Sequence, residues 1–454
     1  MSPLKPIVSS PVLVSLESSA TSIVHGCPGV PRSIPRIETT IQIRSISGSP
    51  FNIRNVGITL TTTQKISIPG KFGSNDAFKT FKLFENPICY RPPIGQFYQK
   101  LIALDIPVFI PLPRDIESSG YIPGYNGSTV HKLNVKVSLG DSVENEVNFL
   151  ESFPVVIKCY DTLPLYRQFN EPVVSEAMTS DKQVLVECKL PVSSVGPGDD
   201  INLQCKLTTN TGNNRLHKHI QLKQLTLQLK EIIECFDSGL PPERSTKLVS
   251  TSQIFDKQEI TPQPFIYEFN IKFPFENEYL SLFSQPQVSL EPELEQDCST
   301  TVIESYNISK IKQLEKLEDG IPITHIQGFT NSGKFFAIRY ELILKVKLTH
   351  AKDIHVNIPI TISPYDRTSS EYILQWIIYE CEVAKNKYGK RIIEDVCQLG
   401  DRYKDVIGLM SRFVAAPIYY RYSIDEWKQL GYNIDAIGVT NGIAKANSLI
   451  GYID

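Results

Sequence analysis

Ile201-Asn-Leu-Gln-Cys-Lys-Leu-Thr208 alternates apolar and polar side chains without a break. Successive side chains of an extended strand point to opposite faces, so Ile201, Leu203, Cys205 and Leu207 share one face and Asn202, Gln204, Lys206 and Thr208 the other. A strand buried on both faces reads as a continuous apolar run, whereas alternation marks an antiparallel sheet with one face in a core and one in water. The same period recurs in Lys132–Leu139, where Leu133, Val135 and Val137 take turns with Asn134, Lys136 and Ser138. It returns in Glu341–Leu348, with Leu342, Leu344 and Val346 on the apolar side. The expected fold class is therefore all-β, built of immunoglobulin-like antiparallel β-sandwiches.

The chain has 454 residues and a net charge of −3, enough for two or three domains and without the basic field that nucleic acid requires. No stretch approaches the roughly 18 apolar residues of a membrane span. Met1–Ser10 has no charged start followed by an apolar core, so a secretory signal is not expected and the location read is cytoplasmic. The nine cysteines stand singly, with no Cys-x-x-Cys, which points to reduced, buried thiols.

Along the chain, strands are expected at Val12–Leu16, from Ile37 onward, and through the proline-interrupted Ile106–Pro113, which should run along an edge or bend. Phe72–Glu85 reads as irregular, and Asp161–Ser180 as an extended linker. The theme restarts at Val184–Leu190, turns at Gly196-Pro-Gly198, and continues through Leu225–Leu229, Phe265–Phe269, Phe335–Leu348 and Ile354–Ile362. Residues 284–327 are charged and read as a mobile insertion. After Pro364 the period changes to three and four: helices are expected over Tyr372–Tyr388 and Arg391–Phe413, and a short third one from the Ser423-x-x-Glu426 capping box. The expected units are 1–165, 180–364 and a helical extension at 365–454.

Three segments resemble the arrestin fold, and in particular the fungal arrestin-related (alpha-arrestin) trafficking adaptors. They are Ile106-Pro-Val-Phe-Ile-Pro-Leu-Pro-Arg-Asp-Ile116 with the strand after Lys132, Gly196-Pro-Gly-Asp-Asp-Ile-Asn-Leu203, and Tyr340–Leu348 with Ile358-Pro-Ile360. The resemblance implies two arrestin-like sandwiches followed by the helical extension. It implies an adaptor that binds cytosolic tails of membrane transporters or receptors, links them to a HECT-type ubiquitin ligase for endocytosis and sorting, and associates peripherally with the plasma membrane or endosomes. The ligase hook of such adaptors, Pro-Pro-x-Tyr, is missing: Pro92-Pro93-Ile94-Gly95 and Pro241-Pro242-Glu243-Arg244 both lack the tyrosine, so any ligase contact is expected to be indirect. The alternative is a structural subunit of a vesicle-coat or retrieval complex, as retromer's arrestin-fold subunit is.

No catalytic, metal or cofactor-binding constellation is evident, and the expectation is a protein that is not an enzyme. Gly328-Phe-Thr-Asn-Ser-Gly-Lys334 looks superficially like a phosphate loop but leads into a strand, so a hairpin turn is the better reading. His217 and His219 have no cysteine partners at zinc spacing. Arg215, Lys218 and Lys223 cluster near a strand entry and are the candidate residues for an acidic or phosphorylated partner; a solvated edge kept basic against edge pairing is the competing reading. Ser and Thr in 246–252 and 368–370 are candidate phosphorylation sites in serine-rich loops. The apolar stripe of Arg391–Phe413 is expected to pack internally, and a membrane or partner groove is the sharper alternative.

Overall fold

The computed structural model describes residues 10–17, 23–70, 73–122, 127–210, 219–236, 243–273, 329–421, 439–440 and 443–444. The first sandwich comprises β1 (Val12–Leu16), β2 (Val24–His25), β3 (Arg36–Ser45), β4 (Phe51–Gly70), β5 (Gly73–Tyr90), β6 (Gln99–Leu101), β7 (Ala103–Pro111), β8 (Gly120–Ile122), β9 (Gly127–Leu139) and β10 (Val147–Val155). One of its sheets runs β1-β3-β7 and the other β10-β9-β4-β5, all antiparallel. Ile37, Ile41, Ile43, Leu60, Leu133 and Val135 meet between the two sheets with no exposure.

A short helix, α1 (Arg167–Asn170), leads to β11 (Val173–Met178), β12 (Val184–Leu190), β13 (Ser194–Val195), β14 (Asp200–Thr209), β15 (Gln221–Cys235), β16 (Glu243–Glu259), β17 (Phe265–Lys272), β18 (Asn331–Ser332), β19 (Phe336–Thr349) and β20 (Ile354–Ile362). The second sandwich stacks β11-β12-β14-β17 on β13-β20-β19-β15-β16. The alternation at Ile201–Thr208 is realised in β14, where Leu203 pairs with Phe269 and Leu207 with Phe265.

Within the sandwiches three segments differ from the sequence reading. Of the stretch read as irregular, the described residues 73–85 lie within β5, because the 20-residue β4 offers a long hydrogen-bonding partner that overrides the weak pattern. The segment read as a linker contains α1 and β11, and β11 pairs over its own full length with β12. Thr246–Ser252 is strand β16, not a loop. The proline-rich β7 behaves as expected, because past Asp105 its outer edge has no strand partner among the described residues.

The helical extension forms as α2 (Arg367–Tyr388), α3 (Lys390–Leu399) and α4 (Tyr403–Met410), followed by a short edge strand β21 (Ile418–Tyr420) that pairs with β7. The single helix expected over Arg391–Phe413 breaks at Gly400, whose φ of +54° and ψ of −117° lie where only glycine is comfortable. No described helix is long and apolar enough to cross a membrane. The 284–327 insertion and the Ser423–Gly431 capping box lie outside the described residues.

Candidate functional site

Two structures join the sandwiches. The first is a buried polar joint. The turn between β18 and β19 reaches into the first sandwich, where Lys334 N–H donates to Glu117 Oε1 at 3.0 Å and Phe335 N–H to Gln64 Oε1 at 3.0 Å. Gln64 Nε2 donates in turn to Thr129 Oγ1 at 3.3 Å. Gly333 permits this approach: a Cβ there would lie 2.4 Å from Gln64 Nε2 and 2.5 Å from the Phe336 carbonyl oxygen. The segment with a superficial likeness to a phosphate loop is thus the turn through which the second sandwich hydrogen-bonds the first.

His131 stands behind the joint with no exposure. Its Nε2 lies 3.0 Å from the Glu117 carbonyl oxygen and its Nδ1 2.8 Å from Thr62 Oγ1. A carbonyl can only accept, so Nε2 carries the proton and Nδ1 accepts from the threonine hydroxyl. Burial drives the imidazole down to about 4 and keeps it neutral. Burial also pushes the Glu117 carboxyl up, against the Lys334 N–H that favours its charged form. Ile66 and Ile122 of the first sandwich continue the apolar core of the second, so the joint sits on shared hydrophobic ground. Beside it lies a cleft of about 130 Å³ lined by Arg114, Ser118, Lys158, Thr162, Asn331 and Tyr365.

The second structure is a strap. Asp366 caps α2 by accepting from Ser369 N–H at 2.6 Å. Asp199, from the Gly196-Pro-Gly-Asp motif, accepts from Gly196 N–H at 2.9 Å and Arg367 N–H at 3.0 Å, so that motif fixes where the helix leaves the second sandwich. Trp376 then meets Tyr160 edge-on at 4.9 Å, and Tyr160 stacks on Tyr365 at 5.7 Å. At its far end Tyr388 packs against Phe109 of β7 and Phe413, and Arg36 lies 5.2 Å over its ring. Ile393, Val396, Val406 and Met410 close the same cluster over Ile34. The apolar stripe of the extension is therefore spent inside the molecule. Tyr403 Oη donates to the Pro111 carbonyl oxygen at 2.7 Å, and Tyr420 Oη to Asp105 Oδ2 at 2.9 Å, pinning the end of the strap to β7.

Of the residues singled out from sequence, Lys223 is exposed at the β-bulge that opens β15, and Arg215 and Lys218 lie outside the described residues, as does His217. His219 sits 3.2 Å from Glu259. Among the described residues no group of His, Cys, Asp and Glu could hold a metal ion. Ser369 and Ser370 are fully buried in the first turn of α2, so phosphorylation there would require the helix to detach. The joint itself escaped sequence reading, since Gln64 and Phe335 are 271 residues apart.

Two stacked sandwiches joined in this way define an arrestin-like fold. Residues 180–365, which span the second sandwich, match the sequence profile of the arrestin (or S-antigen) C-terminal domain. The chain as a whole is similar to RHO1 GEF localizing protein 1 of Saccharomyces cerevisiae (strain ATCC 204508 / S288c): 25% identity over 426 residues, covering 82% of this chain and 85% of that protein.

Proposed function

We propose that this protein is a non-enzymatic arrestin-like adaptor that binds cytosolic segments of membrane transporters or receptors and links them to ubiquitin ligase-dependent endocytosis and sorting. The observation that carries the reading is the strap: it ties two sandwiches into one body and leaves broad sheet faces, a design for holding partners rather than for chemistry. With no Pro-Pro-x-Tyr in the sequence, the HECT-type ligase is reached through a second protein. Arg215, Lys218 and Lys223 are the first candidates for acidic or phosphorylated segments. Peripheral association with plasma membrane or endosome follows from the cargo. The internal use of the helical stripe gives the coat-subunit alternative less support.

The similarity to a protein named for localizing a RHO1 GEF favours a second reading, in which the client is an exchange factor for a Rho-type GTPase. Affinity purification of the full chain, with mass spectrometry of its partners and of ubiquitin remnants on its lysines, separates the two. Transporters with a ligase and a ubiquitinated lysine support the first, and an exchange factor without ubiquitin supports the second. A fixed set of coat subunits overturns both.

A further inference from the structure

The pairing of β16, β15 and β19 gathers basic residues that sequence reading left apart. Strand register places Lys230 opposite Lys247 on one side and Glu341 on the other. Gln224 and Thr226 stand opposite Lys347 and Lys345. Leu225, Leu227 and Leu229 point into the core, so these polar neighbours all face outward, and Lys223 joins them at the bulge. Lys230, Lys247, Lys345 and Lys347 make no ion pair among the described residues, and the acid within their field, Glu341, is already bound to Arg339. Asp256 is an acid at the far rim. Between the lysines run hydroxyls and amides, with Thr226 Oγ1 and Ser252 Oγ at 2.8 Å and Gln228 Nε2 and Ser250 Oγ at 3.5 Å.

Resting on the adaptor reading above, we propose that this outer face docks an extended acidic segment of a partner protein, with Lys230, Lys247, Lys345 and Lys347 receiving its carboxylates. The argument is charge complementarity and dimension. Lysines two apart on a strand stand about 6.6 Å apart, the repeat at which an extended peptide presents alternate side chains. From Lys230 to Lys223 the face spans roughly 20 Å, the length of about six extended residues. Hydroxyls and amides between the lysines suit a peptide backbone. A bilayer suits the face poorly: among the described residues it offers Ile254 as its one exposed aliphatic side chain and no exposed aromatic, and sheet twist makes it a saddle rather than a plane.

The test uses the full-length protein and a fluorescein-labelled peptide in which Glu and Ser alternate over about twelve residues. Fluorescence anisotropy should show binding that weakens with added salt. The double variants K345E/K347E and K230E/K247E should each weaken it about tenfold or more. K189E, on the exposed face of β12 in the other sheet, should leave it unchanged. Equal binding by the wild type and both double variants overturns the proposal, as does no binding at all. Sedimentation with vesicles of 30% phosphatidylserine in phosphatidylcholine, lost in the same variants while the peptide is ignored, overturns it in favour of a lipid surface. Partner capture by the wild type and by K345E/K347E alike would sink this face and leave the adaptor reading standing; failure of the wild type to capture any partner sinks the reading itself.

Discussion

The strap and the polar joint connect the same two sandwiches by different physics. The strap buries Trp376, Tyr388 and Met410 against aromatic and aliphatic neighbours, an attraction that grows with area and is weakly directional. The joint relies on a few hydrogen bonds that fix one register, and each buried group would be costly if its partner were removed. The labour is thus divided: the strap brings non-directional apolar packing against the first sandwich, and the joint brings the directional contacts that fix alignment.

The largest effect is expected from Tyr388→Ala, which removes the ring shared by Phe109, Phe413 and Arg36. It should cost about 3–5 kcal/mol. Hydrogen exchange should show α2–α4 opening ahead of both sandwiches; protection lost uniformly would mean that the strap is not a separable layer.

Next comes acid sensitivity at the joint. Burial holds His131 at about 4 in the folded protein against an ordinary 6.5. A base with a depressed folded value contributes its full stability above 6.5 and loses it as pH falls toward about 4, because the unfolded chain takes up the proton there and the folded one does not. The loss amounts to about 3 kcal/mol. Glu117 has the opposite sign: its raised carboxyl stabilises below the ordinary carboxylate value and loses that contribution as pH rises. Melting curves from pH 7 to 4 should therefore fall more steeply for the wild type than for His131→Gln. Parallel curves would show that the imidazole does not govern the joint.

Gly333→Ala should cost about 1–3 kcal/mol, because the new methyl meets Gln64 and a backbone carbonyl. Small-angle scattering should report a looser pair of sandwiches with the strap still in place; an unchanged profile would place alignment in the strap after all. Lys387→Ala breaks a half-exposed ion pair with Glu38 at 2.6 Å and should cost about 0.2–1 kcal/mol by thermal unfolding. A loss of several kcal/mol would give charge a share in the strap that the comparison denies it.

Much of the scaffold was legible from period alone. β12, β14, β19 and β20 each carry uninterrupted alternation of burial, since one face of each meets a core. β16 was not, because its Ser-Thr-Lys-Leu-Val-Ser-Thr-Ser run is mostly polar on both faces, as suits an edge strand. The break at Gly400 was missed because the apolar spacing on either side still fits one helix.

Local pattern was enough to establish the all-β class, the restart of the theme near Val184 and the change of period after Pro364. These are local properties, set by which neighbours along the chain share a face. Only the tertiary structure decided that the helices run back over the first sandwich, that Gly333 and Lys334 close on Gln64 and Glu117, and that lysines from β15, β16 and β19 share one surface. Those outcomes depend on contacts between residues up to hundreds of positions apart, and neither period nor spacing along a chain encodes which distant strand will become a neighbour.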